Sequence, residues 1–357
     1  MKQLLKLSAA SLLVVGALTV QASTLSDVQA KGYVSCGVSK GLAGFSSADS
    51  AGNWTGVDVD VCRAVAAATL GDAQKVKFVP LTAKERFTAL QSGEIDMLSR
   101  NTTWTITRDA SLGLNFAGVN YYDGQGFMVK SSLGVSSAME LSGAAVCIQA
   151  GTTTELNLAD WGKANGIEYN SVVSDTNAQT LTNYDSGRCD VLTTDASGLY
   201  SMRAAANDPS EHVVLPEIIS KEPLGPVVRQ GDDQWFNIVR WSLNAMITAE
   251  ELGVTSATVD EVTNNPERER LMGRSGSTHE YVGLTPDWTY QIVKQVGNYS
   301  ESFERNIGIN TPIGIARGVN ALWTDGGILY SPPFLSLIHI SEPTRRTPIS
   351  YAVFCLK

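Results

Sequence analysis

The chain has 357 residues, 43% hydrophobic and 18% charged, the composition of a globular protein with room for about two domains. Its 27 lysines and arginines against 36 aspartates and glutamates leave a net charge of −9, which speaks against nucleic acid or anionic lipid as a partner. The four body cysteines, Cys36, Cys62, Cys147 and Cys189, show no C-x-x-C spacing and no nearby histidine, so neither zinc nor another cofactor is expected.

The amino terminus has the form of a secretory signal. Lys2 and Lys6 precede a short apolar run at residues 12–20, and Val20-Gln21-Ala22 offers a small-residue cleavage pattern. The run is shorter than the ~20 residues that span a bilayer. Residues 1–22 are therefore expected to be a signal peptide, with a mature start near Ser23. No later segment reads as a membrane span.

Strands and helices then alternate. Residues 33–38 read as a strand, Val61, Ala64, Val65 and Ala68 as one helical face, and residues 76–80 as a second strand. A helical stretch with Phe87 and Leu90 on one side ends at Gly93, before a buried strand at 95–98. The middle segment repeats this order with a strand at 144–149, a helix at 153–163 and a strand at 168–173. Leu181 and Tyr184 then lead to Gly187 and a strand at 191–193. The echo extends to residue identities: Ser92-Gly93-Glu94-Ile95-Asp96-Met97-Leu98-Ser99 matches Ser186-Gly187-Arg188-Cys189-Asp190-Val191-Leu192-Thr193 as S-G-x-x-D-x-L-[ST]. Such alternation predicts two open, mostly parallel α/β sheets, with ligands outside the carboxyl ends of the strands. Residues 235–249, 287–296 and 313–323 read as helices. The tail at 335–357, with a lone Cys355, resembles nothing before it and reads as extraneous read-through.

Four thiols allow three pairings. Cys36 falls on the first strand and Cys62 on the following helix, while Cys147 and Cys189 share the middle segment. The expected bonds are Cys36–Cys62 and Cys147–Cys189.

The strand ends carry the polar residues that a zwitterion needs. A buried carboxylate requires a guanidinium or several donors, and an ammonium requires a carboxylate. The first repeat runs into Arg100-Asn101-Thr102-Thr103 and on to Arg108, whose guanidinium can grip a carboxylate with two parallel bonds. The second runs into Asp195. Between them, Gly151-Thr152-Thr153-Thr154-Glu155 is a glycine turn into a helix start, where free N–H groups favour an anion. Each has a plainer alternative: Arg108 as a surface residue, Asp195 as a helix cap, and Thr152 with Glu155 as a capping box.

The run Gly56-Val57-Asp58-Val59-Asp60 resembles the G-[aromatic/aliphatic]-D-x-D signature of bacterial family 3 solute-binding proteins, with Val57 a mild departure. Residues 83–96, 150–157 and 217–235 extend the likeness over about 24–334, nearest the family's general L-amino-acid binders. The resemblance implies a two-lobed, type II-like α/β fold with two hinge strands and a helical C-terminal extension. Residues 23–128 and 224–334 would form one lobe and 129–223 the other, with the chain crossing near 127–130 and 223–228. It implies a periplasmic amino-acid receptor for an ABC importer: a monomer, not an enzyme, with a membrane permease as partner. Arg108 would hold the ligand α-carboxylate, helped by Thr103, Asn101, Thr152 and Thr153. Asp195 would pair with the α-ammonium, and Arg86 would read an acidic or amide side chain, with Arg100 a further candidate. Leu42 stands where some relatives stack an aromatic on basic ligands. That speaks against a Lys-, Arg- or His-specific site, and with Arg86 the resemblance implies a broad L-amino-acid spectrum favouring Glu, Gln, Asp and Asn. A dehydratase on the same fold is the competing enzyme reading, but His212 and His279 form no acid–base constellation. A receptor for another small anion is the third, against which Asp195 counts.

Overall fold

The computed structural model describes residues 23–335; the expected signal peptide and all of the expected read-through tail but Leu335 lie outside the described residues. The fold is built on two five-stranded sheets of the same plan. In the first, Val34–Ser39 lies between parallel strands Val76–Leu81 and Met97–Leu98. Val227–Arg229 and Leu114–Phe116 complete that sheet. In the second, Ala145–Gln149 lies between parallel Asn170–Ser174 and Val191–Asp195, with antiparallel Gln125–Lys130 and His212–Val214 beyond.

The sequence echo has a physical cause. Gly93 and Gly187 take φ of +80° and +75° just past the helices Arg86–Gln91 and Asn177–Asp185. This left-handed turn suits a residue without Cβ. The aspartate three residues on then zips onto the neighbouring strand in both lobes. Asp96 donates its N–H to Ser35 O and accepts Ser35 N–H at 2.6 Å, while Asp190 does the same with Ala145, accepting at 2.9 Å. Register is thus set by a side chain and a backbone bond acting together.

The lobes are joined by a two-stranded antiparallel link, Tyr121–Asp123 against Glu222–Leu224. The outward crossing therefore precedes the expected 127–130, which lies inside the second sheet. Gln125–Lys130 is buried along nearly its whole length, and a run of that kind reads the same whether it ends a lobe or begins one.

The C-terminal part packs on the first lobe. Helices Asp233–Glu251, Trp288–Val296 and Tyr299–Asn306 share one core with the helix Val57–Leu70. Asp60 pins the last of them, accepting from Ser302 Oγ at 2.7 Å, Arg305 Nη2 at 2.6 Å and Asn306 Nδ2 at 2.8 Å. The helix expected at 313–323 does not form; the segment makes only the short 3-10 turns Gly318–Asn320 and, at its end, Trp323–Asp325. Gly314 and Gly318 take φ of +70° and +49°, which breaks the helical path. This segment instead grips the link: Asn320 Oδ1 accepts Tyr122 N–H at 2.7 Å and its amide donates to Tyr122 O at 3.0 Å. Among the described residues no helix is long and apolar enough to cross a membrane.

Both disulfides form as expected, Cys36–Cys62 with Cα atoms 6.1 Å apart and Cys147–Cys189 at 5.6 Å. Replacing Cys147 and Cys189 together by alanine should lower the unfolding free energy in urea by about 2–4 kcal/mol, because the unfolded chain loses a cross-link. An unchanged midpoint would show that the second lobe does not depend on it.

Candidate ligand-binding site

The first lobe's share of the site hangs on Asp58. This buried carboxylate at the start of the helix Val57–Leu70 accepts Asn101 N–H at 2.7 Å, Ser99 Oγ–H at 3.1 Å and Asn120 Nδ2–H at 3.0 Å. Burial raises its pKa, and these donors together with the Arg100 charge pull it back. The preceding Gly56 has φ +134°, and a Cβ there would lie 2.0 Å from Phe45 O, so the turn into this helix admits only glycine. The bond to Asp58 holds Asn101 at φ +32°, a left-handed conformation that asparagine tolerates. The chain then turns to the link, where Trp104 N–H meets Pro223 O at 2.8 Å and fixes Thr103 at the lobe boundary.

Three arginines converge behind this turn, each 8% exposed or less. Arg108 lies on the helix Ile106–Ala110, which Thr105 caps. Its Nη1 donates to Thr103 O at 2.9 Å, and its guanidinium stands 5.2 Å from the Phe87 ring centre. Arg86 stands 4.8 Å from the same ring. It donates weakly to Thr102 Oγ1 at 3.4 Å, and its buried Nε has no hydrogen-bond partner. Arg100 Nε is committed to Leu81 O at 3.0 Å. Burial depresses all three, Arg86 well below the usual arginine range and Arg100 to about 10. The neighbouring guanidinium charges push Arg86 the same way, while Asp195 and Glu222 oppose. The surface reading of Arg108 is excluded by its burial.

The second lobe supplies the opposite charge. Asp195 ends the strand Val191–Asp195 and is buried, yet its side chain does not cap the helix Ala196–Ala205 that follows. Asp123 does so in its place, accepting from Ser197 N–H and Oγ–H. The cap reading of Asp195 is thereby replaced, and its carboxylate stays available. Burial, reinforced by Asp123 and Glu222, drives Asp195 well above the carboxylate range; Arg86 and Arg108 counter this. Burial likewise raises Asp123 to about 6.

The helix Thr153–Asn165 points its start at the boundary, and the expected capping box is absent. Thr152 Oγ turns back to Gln149 O at 2.8 Å, and Glu155 accepts from Gly151 N–H at 2.8 Å. Thr152 N-caps by position but no side chain caps the first turn. Of the two threonines, Thr153 reaches across: its Oγ1 lies 3.5 Å from Thr103 Oγ1 and donates to Glu222 Oε2 at 2.9 Å. Further contacts between the lobes are Lys84–Asp175 at 2.7 Å and Ser201 Oγ–H to Ala43 O at 2.8 Å. Leu42, also buried, borders an interlobe cavity of about 220 Å³ with Leu181 and Met202.

Arg86, Arg108, Thr103, Thr153 and Asp195 are thus gathered at one boundary. Asn101 serves through its backbone, and its buried Oδ1 is unpartnered. The Thr152 hydroxyl and Arg100 Nε are spent elsewhere. Glu222 and Asp123 were not anticipated. Both sit on three-residue strands too short for any periodic signal.

The chain belongs to the bacterial extracellular solute-binding proteins, family 3, whose model matches residues 34–258. It is 61% identical over 328 residues to the general L-amino acid-binding periplasmic protein AapJ of Rhizobium johnstonii, covering 91% of this chain and 96% of that one. It is 56% identical over 325 residues to the glutamate/glutamine/aspartate/asparagine-binding protein BztA of Rhodobacter capsulatus, covering 90% and 96%. Among solved structures, an ABC transporter/periplasmic binding protein from Brucella ovis with glutathione bound is 57% identical at a TM-score of 0.86, covering 88% and 100%.

Asp195 holds its proton more tightly folded than unfolded, so it favours the ligand-free fold at low pH and costs stability once ionised. Asp195→Asn should therefore gain on the wild type as pH rises from 4 to 7, by on the order of 1 kcal/mol. Denaturation of ligand-free protein at several pH values checks this; a gap that does not move with pH would refute it.

Proposed function

We propose that this protein is a periplasmic receptor that captures L-amino acids between its lobes and delivers them to the membrane permease of an ABC importer. The observation that carries the reading is the pairing of unlike charges across the boundary: Arg108 and the partly unpartnered Arg86 on one lobe, Asp195 on the other. An α-amino acid satisfies both sides at once. Its carboxylate takes Arg108 and the uncapped helix start at Thr153, its ammonium takes Asp195, and Arg86 reads the side chain. Closure follows because only the closed state uses both sets of contacts. The two link strands are the hinge, with residues 23–120 and 225–334 moving against 124–221.

The names of AapJ and BztA support a broad spectrum that favours Glu, Gln, Asp and Asn. Glutathione, bound in the Brucella ovis relative, carries the same α-ammonium and α-carboxylate on its glutamyl end. The protein is read as a binder and not an enzyme: His212, buried on the edge strand of the second sheet, is engaged with Tyr184 Oη at 3.1 Å. It works as a monomer outside the cytoplasm once residues 1–22 are removed.

Calorimetric titration of unfolded and refolded protein with Glu, Gln, Asp, Asn, Leu, His and Arg tests this, since refolding releases retained ligand. Arg108→Ala should weaken every amino acid by about a hundredfold or more, the scale of a lost charge-assisted pair. Arg86→Ala should mainly erode the preference for acidic and amide side chains. Equal losses in both variants would overturn that division of labour, and a folded wild type that binds none would overturn the reading.

A further inference from the structure

Glu222 begins the link strand Glu222–Leu224 and is 1% exposed. It has three hydrogen-bond partners, and each one donates: Thr153 Oγ1 at 2.9 Å, Asn157 Nδ2 at 2.6 Å and Ser220 Oγ at 2.7 Å. A threonine hydroxyl has one proton to give. With that proton on Glu222, the Thr153 oxygen has only lone pairs left. Thr103 Oγ1, 3.5 Å away, is then the donor of the threonine pair. The hydroxyls form an oriented chain from Thr103 in one lobe, through Thr153 at the helix start of the other, to Glu222 on the link.

This polarity bears on the amino-acid reading, on which the inference rests. The family resemblance assigns Thr153 to the ligand carboxylate, but a hydroxyl that has given its proton away cannot donate to an anion. Its oxygen suits a group that brings its own protons. We propose that Glu222 is a positioning residue for the ligand's α-ammonium, because it holds the Thr153 proton and so makes the Thr153 oxygen an acceptor alongside Asp195. The ligand carboxylate is left to Arg108 and to the backbone N–H groups of the uncapped helix start. Such a site takes compounds with a primary ammonium beside the carboxylate and discriminates against the same acid without it.

The substitution Glu222→Gln is diagnostic. Oε1 accepts from two donors and Oε2 from one. An amide therefore keeps its carbonyl toward Asn157 and Ser220 and turns its NH2 to Thr153, which reverses the hydroxyl and aims its proton into the cleft. The measurement is the affinity of refolded wild type, E222Q, T153V and T153S for L-glutamate by calorimetry, and for glutarate, the same diacid without the ammonium, by competition. E222Q should lose about tenfold or more toward L-glutamate, as for a hydrogen bond to a charged group. Its affinity for glutarate should hold or tighten. T153V should also narrow the glutamate-to-glutarate ratio, and T153S should restore it. If E222Q and T153V weaken both ligands by one factor and leave the ratio unchanged, Glu222 only anchors the helix and the proposal is wrong. Should E222Q fail to fold, the T153V and T153S ratios decide alone. A wild type that binds no amino acid overturns the amino-acid reading and this assignment with it, a result distinct from an unchanged ratio.

Discussion

An ionised group removed from water costs several kcal/mol unless partners replace its hydration. The lobe boundary buries three arginines and the carboxylates of Asp195 and Glu222 within one small region. Much of the surrounding architecture exists to hold them there. The buried carboxylates that anchor the scaffold are well supplied with donors: Asp58 takes three and Asp60 takes three. At the boundary, Arg86 Nε has no hydrogen-bond partner and the Asp195 side chain does not cap the helix that follows it.

The hinge is not a bare pair of strands. The turn at Thr103 and Trp104 is bonded to Pro223, and Asn320 clamps Tyr122 from the other side. Tyr299 Oη donates to Asn120 O at 2.7 Å, and Asn120 in turn donates to Asp58. The C-terminal extension therefore reaches both the ligand-facing turn and the link. Its helices add core to one lobe, and Asn320 and Tyr299 tie it to the link and to the chain leading into it.

The sheets were legible because they rest on periodicity and on punctuation. Val34–Ser39, Val76–Leu81 and Ala145–Gln149 lie within a residue of their expected limits, and Gly93 and Gly187 mark the helix ends. The repeat proved more literal than expected, since Asp96 and Asp190 make equivalent pairs of bonds. Two kinds of feature were not legible. A hydroxyl's direction is set by its acceptor, so the choice of Thr152 to face Gln149 and of Thr153 to face Glu222 depends on residues 3 and 69 positions distant. The limits of the link depend on pairing between distant short strands, which leaves no pattern along the chain.

Neither disulfide spans the link: Cys36–Cys62 lies wholly on one side of it and Cys147–Cys189 wholly on the other. An oxidising compartment therefore stiffens each jaw separately and puts no tether across the opening between them. Folding and opening are mechanically decoupled. The covalent bonds brace each half against unfolding, while contacts that cross between the halves, such as Lys84 with Asp175, are weak and reversible. A shuttle that must release its cargo as readily as it seizes it requires that separation.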